Sequence, residues 1–166
     1  MTRFKWLVVL LLALATVASA AKRPPKPKPK NGRWLDQKKG LWYLVSVPKP
    51  YDPKLKYPLL VVTAYRDDHA TTNFGHWQKD AQLDQIFLAT LNFPPGFKDN
   101  RDKGLLDMVQ KVVKEYTNID RRHMVLLGAG SGADAALQFV CAYPRVFQNT
   151  LVFNPQRYPD TSKLKP

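Results

Sequence analysis

Cysteine and histidine are scarce in this chain of 166 residues, and their scarcity excludes several kinds of site. The one cysteine, Cys141, cannot form an intramolecular disulfide, and no cysteine or histidine lies near it at the spacing of metal ligands. It falls within an apolar helical pattern, so we expect it in the core. The sequence therefore predicts neither a disulfide framework nor a metal site.

Acidic residues are also few, with 13 against 26 lysines and arginines, which gives a formal net charge of +13. Two basic residues, Arg3 and Lys5, lie in residues 1–20 and six in residues 22–33, with no acidic ones in either segment, so residues 34–166 retain a net charge of only +5. A nucleic-acid-binding domain should carry its basic residues on the folded surface, and we therefore expect no nucleic-acid partner. The segment from Lys22 to Lys30 is predicted to be a solubilising spacer or to contact an anionic surface.

The amino terminus has the pattern of a secretory signal peptide. Basic residues precede an apolar run from Trp6 to Val17, and Ala18-Ser19-Ala20 follows as a cleavage site. An uncleaved anchor is the alternative, but the run is shorter than the roughly 20 residues that a membrane-spanning helix needs. We expect a secreted, periplasmic or cell-envelope protein with no transmembrane anchor after cleavage.

This pattern divides the chain into a signal peptide (residues 1–20), a linker (residues 21–33) and a folded domain (residues 34–166). The linker alternates proline with lysine, so it cannot build a core and should be extended and solvated.

The folded part alternates strand-like and helix-like segments. Short apolar or β-rich runs occupy residues 41–48, 59–64, 86–91, 124–127 and 150–153, and helical patterns occupy residues 74–84, 105–116 and 131–142. Such alternation predicts an α/β fold with a mostly parallel sheet and helices on both faces. Functional sites in such sheets gather at the carboxyl ends of the strands.

One segment, from His123 to Leu137, predicts a buried strand, a glycine-rich turn and a helix. Serine hydrolases present their nucleophile on this geometry, in the pattern G-x-S-x-G. The stretch Gly128-Ala129-Gly130-Ser131-Gly132 fits the pattern with Gly130 at the position of the serine. A frame shifted by one residue makes Ser131 the nucleophile, and a third interpretation makes Ser131 the N-cap of the helix.

The same glycines superficially resemble a dinucleotide-binding turn. Ala133 replaces the last glycine of that pattern, which its looser form accepts, but no acidic residue follows at the expected distance of about 20 residues. A nucleotide site is therefore a minor alternative, and we expect no cofactor.

The order of these motifs resembles the α/β-hydrolase superfamily, specifically its secreted esterase branch of polyhydroxybutyrate depolymerase-like, feruloyl-esterase-like and dienelactone-hydrolase proteins. The similar passages are residues 43–52, residues 57–62, Ile119-Asp120 before the turn and residues 142–147 after the helix. The resemblance covers about residues 41–155. It implies an α/β-hydrolase-like sheet that lacks the last strands, with Gly130 at the nucleophile position.

The chain also departs from the family in its oxyanion loop and in the position of its candidate bases. The family has His-Gly in the oxyanion loop, where this chain has Ala64-Tyr65, although Ser131 can still contribute a backbone N–H. The family's base follows the nucleophile, but no histidine follows His123, which leaves His69 and His76 as the candidate bases. These losses predict a catalytically degenerate binding or structural module.

Two alternative functions remain open at this stage. One is an active carboxylic-ester hydrolase in which Ser131 attacks and His69 or His76 acts as base. The other is a basic adaptor that binds anionic polymers through Lys22 to Lys30.

The strand at residues 150–153 would form an exposed sheet edge, which predicts a homodimer.

Overall fold

The computed structural model describes residues 31–63, 70–93 and 101–155. The predicted signal peptide and all but the last three residues of the predicted linker lie outside these ranges. Among the described residues, no helix is both long and apolar enough to cross a membrane. The elements in chain order are β1 (Arg33–Asp36), β2 (Leu41–Ser46), β3 (Tyr57–Thr63), α1 (Ala70–Leu83), β4 (Phe87–Asn92), α2 (Arg101–Glu115), β5 (Ile119–Ala129), α3 (Ser131–Ala142) and β6 (Asn149–Phe153).

The strands form one mixed sheet in the order β1-β2-β4-β3-β5-β6. Strands β4, β3, β5 and β6 are parallel to one another, whereas β2 pairs antiparallel with both β1 and β4. Parallel neighbours need crossover connections, and α1, α2 and α3 lie in these connections. The structure confirms the predicted α/β class with a mostly parallel sheet.

The central strand β3 shows why the sequence has a continuous apolar run there. Successive side chains of a strand point to opposite faces of the sheet. Leu59 and Val61 belong to the main core cluster, which packs against α2 and α3. Val62 joins a second cluster with Ala81 of α1. Helices therefore cover both faces, as predicted, and both faces of β3 are apolar because both are buried.

Strand β5 is longer than predicted, because its first half is polar and lacks the apolar pattern by which a buried strand is recognised. The sequence pattern indicated residues 124–127, but the strand begins at Ile119 and ends at Ala129. Arg121, Arg122 and His123 are exposed, so this part of the strand lacks the apolar signal of its buried second half.

The short strand β1 was not predicted. Its first residue, Arg33, is the last residue of the predicted linker, and its side chain forms an ion pair with Glu115 and donates a hydrogen bond to the Tyr116 hydroxyl at 3.0 Å. Polar contacts to the end of α2 thus fix a strand that has little apolar pattern of its own.

The prediction that Cys141 lies in the core is wrong, because the side chain is partly exposed. Helix α3 buries Ala133, Ala136 and Phe139, which follow one another every three residues. A residue two positions after Phe139 lies about 200° around the helix and so points away from that buried face.

Candidate functional site

The carboxyl edge of the parallel strands contains a sharp turn between β5 and α3, centred on Gly130. This residue has φ 56° and ψ −123° and is the N-cap of the helix. Glycine adopts this combination readily, whereas a residue with a Cβ is strained by it. Gly130 is therefore the residue at which the chain reverses from strand to helix.

Gly128 allows the strand and the helix to approach each other. A Cβ at this residue would lie 2.4 Å from the carbonyl oxygen of Gly132 and 2.8 Å from the Thr63 hydroxyl oxygen. Both distances are too short for any real Cβ contact, so the close approach requires glycine. The first glycine of the G-x-S-x-G pattern thus has a direct steric role here.

Thr63, at the end of β3, joins the turn to the central strand. Its buried hydroxyl donates toward the carbonyl oxygens of Gly132, at 2.7 Å, and Leu127, at 3.1 Å. A single hydroxyl group thus connects β3, β5 and the first turn of α3. Thr63 was not among the residues predicted from the sequence, where the available signal was a hydroxyl residue at the end of an apolar strand.

Backbone hydrogen bonds hold Gly130 from both sides. Its N–H donates to the carbonyl oxygen of Phe153 at 2.9 Å, and its own carbonyl accepts from the N–H groups of Ala133 at 3.0 Å and Asp134 at 3.3 Å. Gly130 is thus tied both to β6 and to the first turn of α3. The conformation of the turn is therefore supported by the neighbouring strand as well as by the helix.

Ser131 is the first residue of α3, directly after the turning residue. The interpretation of Ser131 as the N-cap is wrong, because Gly130 occupies that position and no side chain caps the helix there. The physical reason is that the N-cap coincides with the turn, where a positive φ favours glycine over serine.

Of the other predicted site residues, the structure describes only His76. Ala64, Tyr65 and His69 lie outside the described residues. His76 is exposed on α1, the helix that packs on the opposite face of the sheet from α3. The structure thus brings Gly130 and Ser131 together with Gly128 and Thr63, two residues that were not predicted as site residues.

Asn92 places a polar group at the same edge, at the end of β4. The residue is 3% exposed, and its amide nitrogen donates to the carbonyl oxygen of Phe93 at 3.3 Å. Its Oδ1 has no hydrogen-bond partner in the part of the chain that the structure describes. In the parallel register Thr63 pairs with Leu91, so Asn92 lies one residue beyond the level of Thr63. The edge therefore offers one buried acceptor to a hydrogen-bond donor.

No protein-family profile and no curated protein matches this chain. Solved structures do resemble it. A thermostable esterase has a TM-score of 0.56 at 18% identity, over 72% of this chain and 40% of the esterase. An acetyl xylan esterase from Aspergillus awamori has a TM-score of 0.61 at 13% identity, over 78% of this chain and 53% of that one. Thermogutta terrifontis esterase 2 has a TM-score of 0.59 at 13% identity, over 87% and 61%.

This chain therefore spans between 40% and 61% of the length of these three esterases. At such identities the likeness concerns the fold and not the activity. The strand order, the helices on both faces and these structural relatives together show that the chain has the α/β-hydrolase fold.

Proposed function

We propose that this chain is an α/β-hydrolase-fold domain that has lost its catalytic nucleophile and acts as a binding or structural module. The observation that carries the proposal is the backbone of Gly130, whose φ of 56° and ψ of −123° identify it as the turning residue. Covalent catalysis needs a side chain that can attack, and glycine has none.

The contacts around the turn support this assignment of the frame. Gly128 meets Gly132 and Thr63 at distances that no Cβ could occupy, and Gly130 is bonded to Phe153. A frame with Ser131 as the turning residue would move each of these contacts by one position. The two candidate bases, His69 and His76, precede the turn, whereas the base in triads of this fold follows the nucleophile.

An active carboxylic-ester hydrolase that uses Ser131 is the second candidate. Ser131 directly follows the turn and opens α3. The first N–H groups of a helix have no partner within the helix, and the helix dipole favours negative charge beside them. Such an enzyme would also need a base within about 2.6–3.2 Å of the serine hydroxyl in its reactive complex.

Labelling by a fluorophosphonate probe, together with hydrolysis of short-chain p-nitrophenyl esters, separates these two candidates. The unmodified chain and Ser131→Ala are compared, with circular dichroism and thermal unfolding to establish that both are folded. We expect neither protein to be labelled or to hydrolyse the esters above background. Labelling of the unmodified chain that Ser131→Ala abolishes would refute the proposal and identify Ser131 as the nucleophile.

The variant Gly130→Ser tests the frame independently. It places a hydroxyl on the turning residue, at a cost of about 1–3 kcal/mol in backbone strain. Labelling of Gly130→Ser alone would support Gly130 as the vacant nucleophile position.

The cellular location is a further part of the proposal. Residues 1–20 have the pattern of an export signal, and the chain is proposed to act outside the cytoplasm or in the cell envelope. Amino-terminal sequencing of the protein recovered from its host checks this, since cleavage after Ala20 would leave Ala21 as the first residue.

A further inference from the structure

The amino-terminal end of the parallel strands, opposite the Gly130 turn, carries a cationic cavity of about 440 Å³. Lys56 immediately precedes β3, and Arg121 and Arg122 lie in the first half of β5. Strands β3 and β5 are neighbours, with Tyr57 in register with Ile119, so the three cations come from adjacent strands. The lining residues are Lys56, Thr117, Ile119, Asp120, Arg121 and Arg122.

Among the described residues that line the cavity, the one acidic side chain is that of Asp120, which is hydrogen-bonded within its own strand. Its carboxylate accepts a hydrogen bond from the backbone N–H of Arg122 at 3.0 Å and lies 2.7 Å from Nδ1 of His123. These two contacts hold the pKa of Asp120 below its ordinary value, so the carboxylate stays ionised and bonded. Within the described residues, none of the ion pairs involves Lys56, Arg121 or Arg122.

Other carboxylates near this end are also engaged. Asp52 accepts the backbone N–H of Lys54 at 2.8 Å, and Glu115 pairs with Arg33. The cationic surface extends further, because Arg121 also lines a second cavity of about 320 Å³ together with Arg145. The cavity itself holds three cationic side chains against the single carboxylate of Asp120, so a net positive charge remains at this end of the sheet.

The chemistry of the cavity suits phosphate groups. Guanidinium groups bind phosphate in a bidentate manner, and a lysine ammonium adds a point charge. Lys56 donates one hydrogen bond to the carbonyl oxygen of Thr117 at 3.1 Å, which leaves two of its three donors available. None of the described residues that line the cavity is aromatic, so this part of the chain offers no stacking platform of the kind that single-stranded nucleic acids use.

We propose that Lys56, Arg121 and Arg122 bind phosphate groups along a linear polyphosphate-type anion. The proposed site lies at the opposite end of the parallel strands from the Gly130 turn, and it uses none of the residues of the basic segment from Lys22 to Lys30. All three side chains are exposed, so a long polymer can reach them without a change in the fold.

The test measures fluorescence anisotropy of labelled inorganic polyphosphate with the full chain. The tail is first neutralised, so that its charges do not mask the domain, by replacing Lys22, Arg23, Lys26, Lys28 and Lys30 with glutamine. In this background, Lys56→Gln/Arg121→Gln/Arg122→Gln is compared with the matched control Lys38→Gln/Lys79→Gln/Lys103→Gln, which removes the same charge from exposed positions elsewhere.

We expect the cavity variant to bind about tenfold more weakly, the combined effect of three exposed ion pairs. The slope of log affinity against log salt should fall by roughly two, since each lost phosphate contact contributes about 0.7. The control should bind nearly as the parent does. The single variant Arg121→Gln should give an intermediate loss, and it provides a second measurement if the triple variant fails to fold.

Four outcomes would overturn the proposal. The first is no binding of polyphosphate by the tail-neutralised chain, and the second is an equal loss in the cavity variant and the control. The third is tighter binding of single-stranded DNA with the same number of charges, which would indicate a nucleic-acid site. The fourth is a cavity-dependent interaction with anionic phospholipid vesicles in the absence of polyphosphate binding.

Discussion

Two glycines beside the turn are required for different physical reasons. Gly130 is required by its backbone conformation, because its positive φ strains a residue with a Cβ. Gly128 is required by space, because the carbonyl oxygen of Gly132 and the hydroxyl of Thr63 occupy the volume of a side chain. The turn thus has the backbone of a strand–turn–helix elbow, and at Gly130 the proposed loss concerns only the side chain.

At this scale we predict that Gly128→Ala lowers the free energy of unfolding by about 1–3 kcal/mol, as expected when atoms are forced into a packed region. Gly75→Ala provides the matched control, because Gly75 lies within α1 and a Cβ there meets nothing within 4 Å. The control should be stabilised by about 0.5–1 kcal/mol through helix propensity. Urea denaturation measures both, and equal shifts in the same direction would contradict the steric account.

The aromatic side chain of Phe139 on α3 belongs to the main core cluster, together with buried side chains of the sheet. This ring is fully buried and lies 5.2 Å from the ring of Tyr143 and 5.5 Å from the ring of Phe147, between centroids. Because α3 begins directly at Gly130, the packing of Phe139 also fixes the direction in which the chain leaves the turn.

We predict that Phe139→Ala lowers the free energy of unfolding by about 3–5 kcal/mol through lost burial and a residual cavity. Gln138→Ala is the control on the same helix, since Gln138 is exposed and should change the stability by less than about 0.5 kcal/mol. Chemical denaturation of both variants checks this. A small effect of Phe139→Ala on the free energy of unfolding would contradict the prediction and would mean that other contacts keep α3 packed.

The elements that the sequence predicts well are those whose burial matches their periodicity. Strand β3 is buried on both faces and helix α3 is bounded by glycine, so their patterns are unambiguous. The first half of β5 and all of β1 are polar, and their pairing depends on neighbours far along the chain. The G-x-S-x-G pattern can be recognised in the sequence because its glycine spacing is local, whereas the hydrogen bond from Thr63 joins residues 69 positions apart.

At the scale of the whole molecule, the described sheet ends at β6, which pairs with β5 on one side only. Two of its apolar side chains are exposed, Leu151 at 48% and Phe153 at 56%. An unpaired strand edge with apolar side chains favours association with another strand.

We therefore expect a homodimer formed through β6. Multi-angle light scattering over a wide range of protein concentration should show the dimer, and Leu151→Glu/Phe153→Glu should convert it to a monomer without unfolding it. Leu83→Glu is the control, because Leu83 is 71% exposed on α1, away from the sheet edge. A monomer at every concentration would refute this prediction.

The hydrogen bond from the Gly130 N–H to the carbonyl oxygen of Phe153 links the turn to the last described strand. Detachment of β6 from β5 would expose the Gly130 amide to solvent. A partner that keeps β6 paired with β5 would protect this amide from hydrogen exchange. Hydrogen–deuterium exchange at a single amide therefore reports on the attachment of a whole strand. Through this one bond, an association at the edge of the sheet would stiffen the backbone at the position where a hydrolase holds its nucleophile.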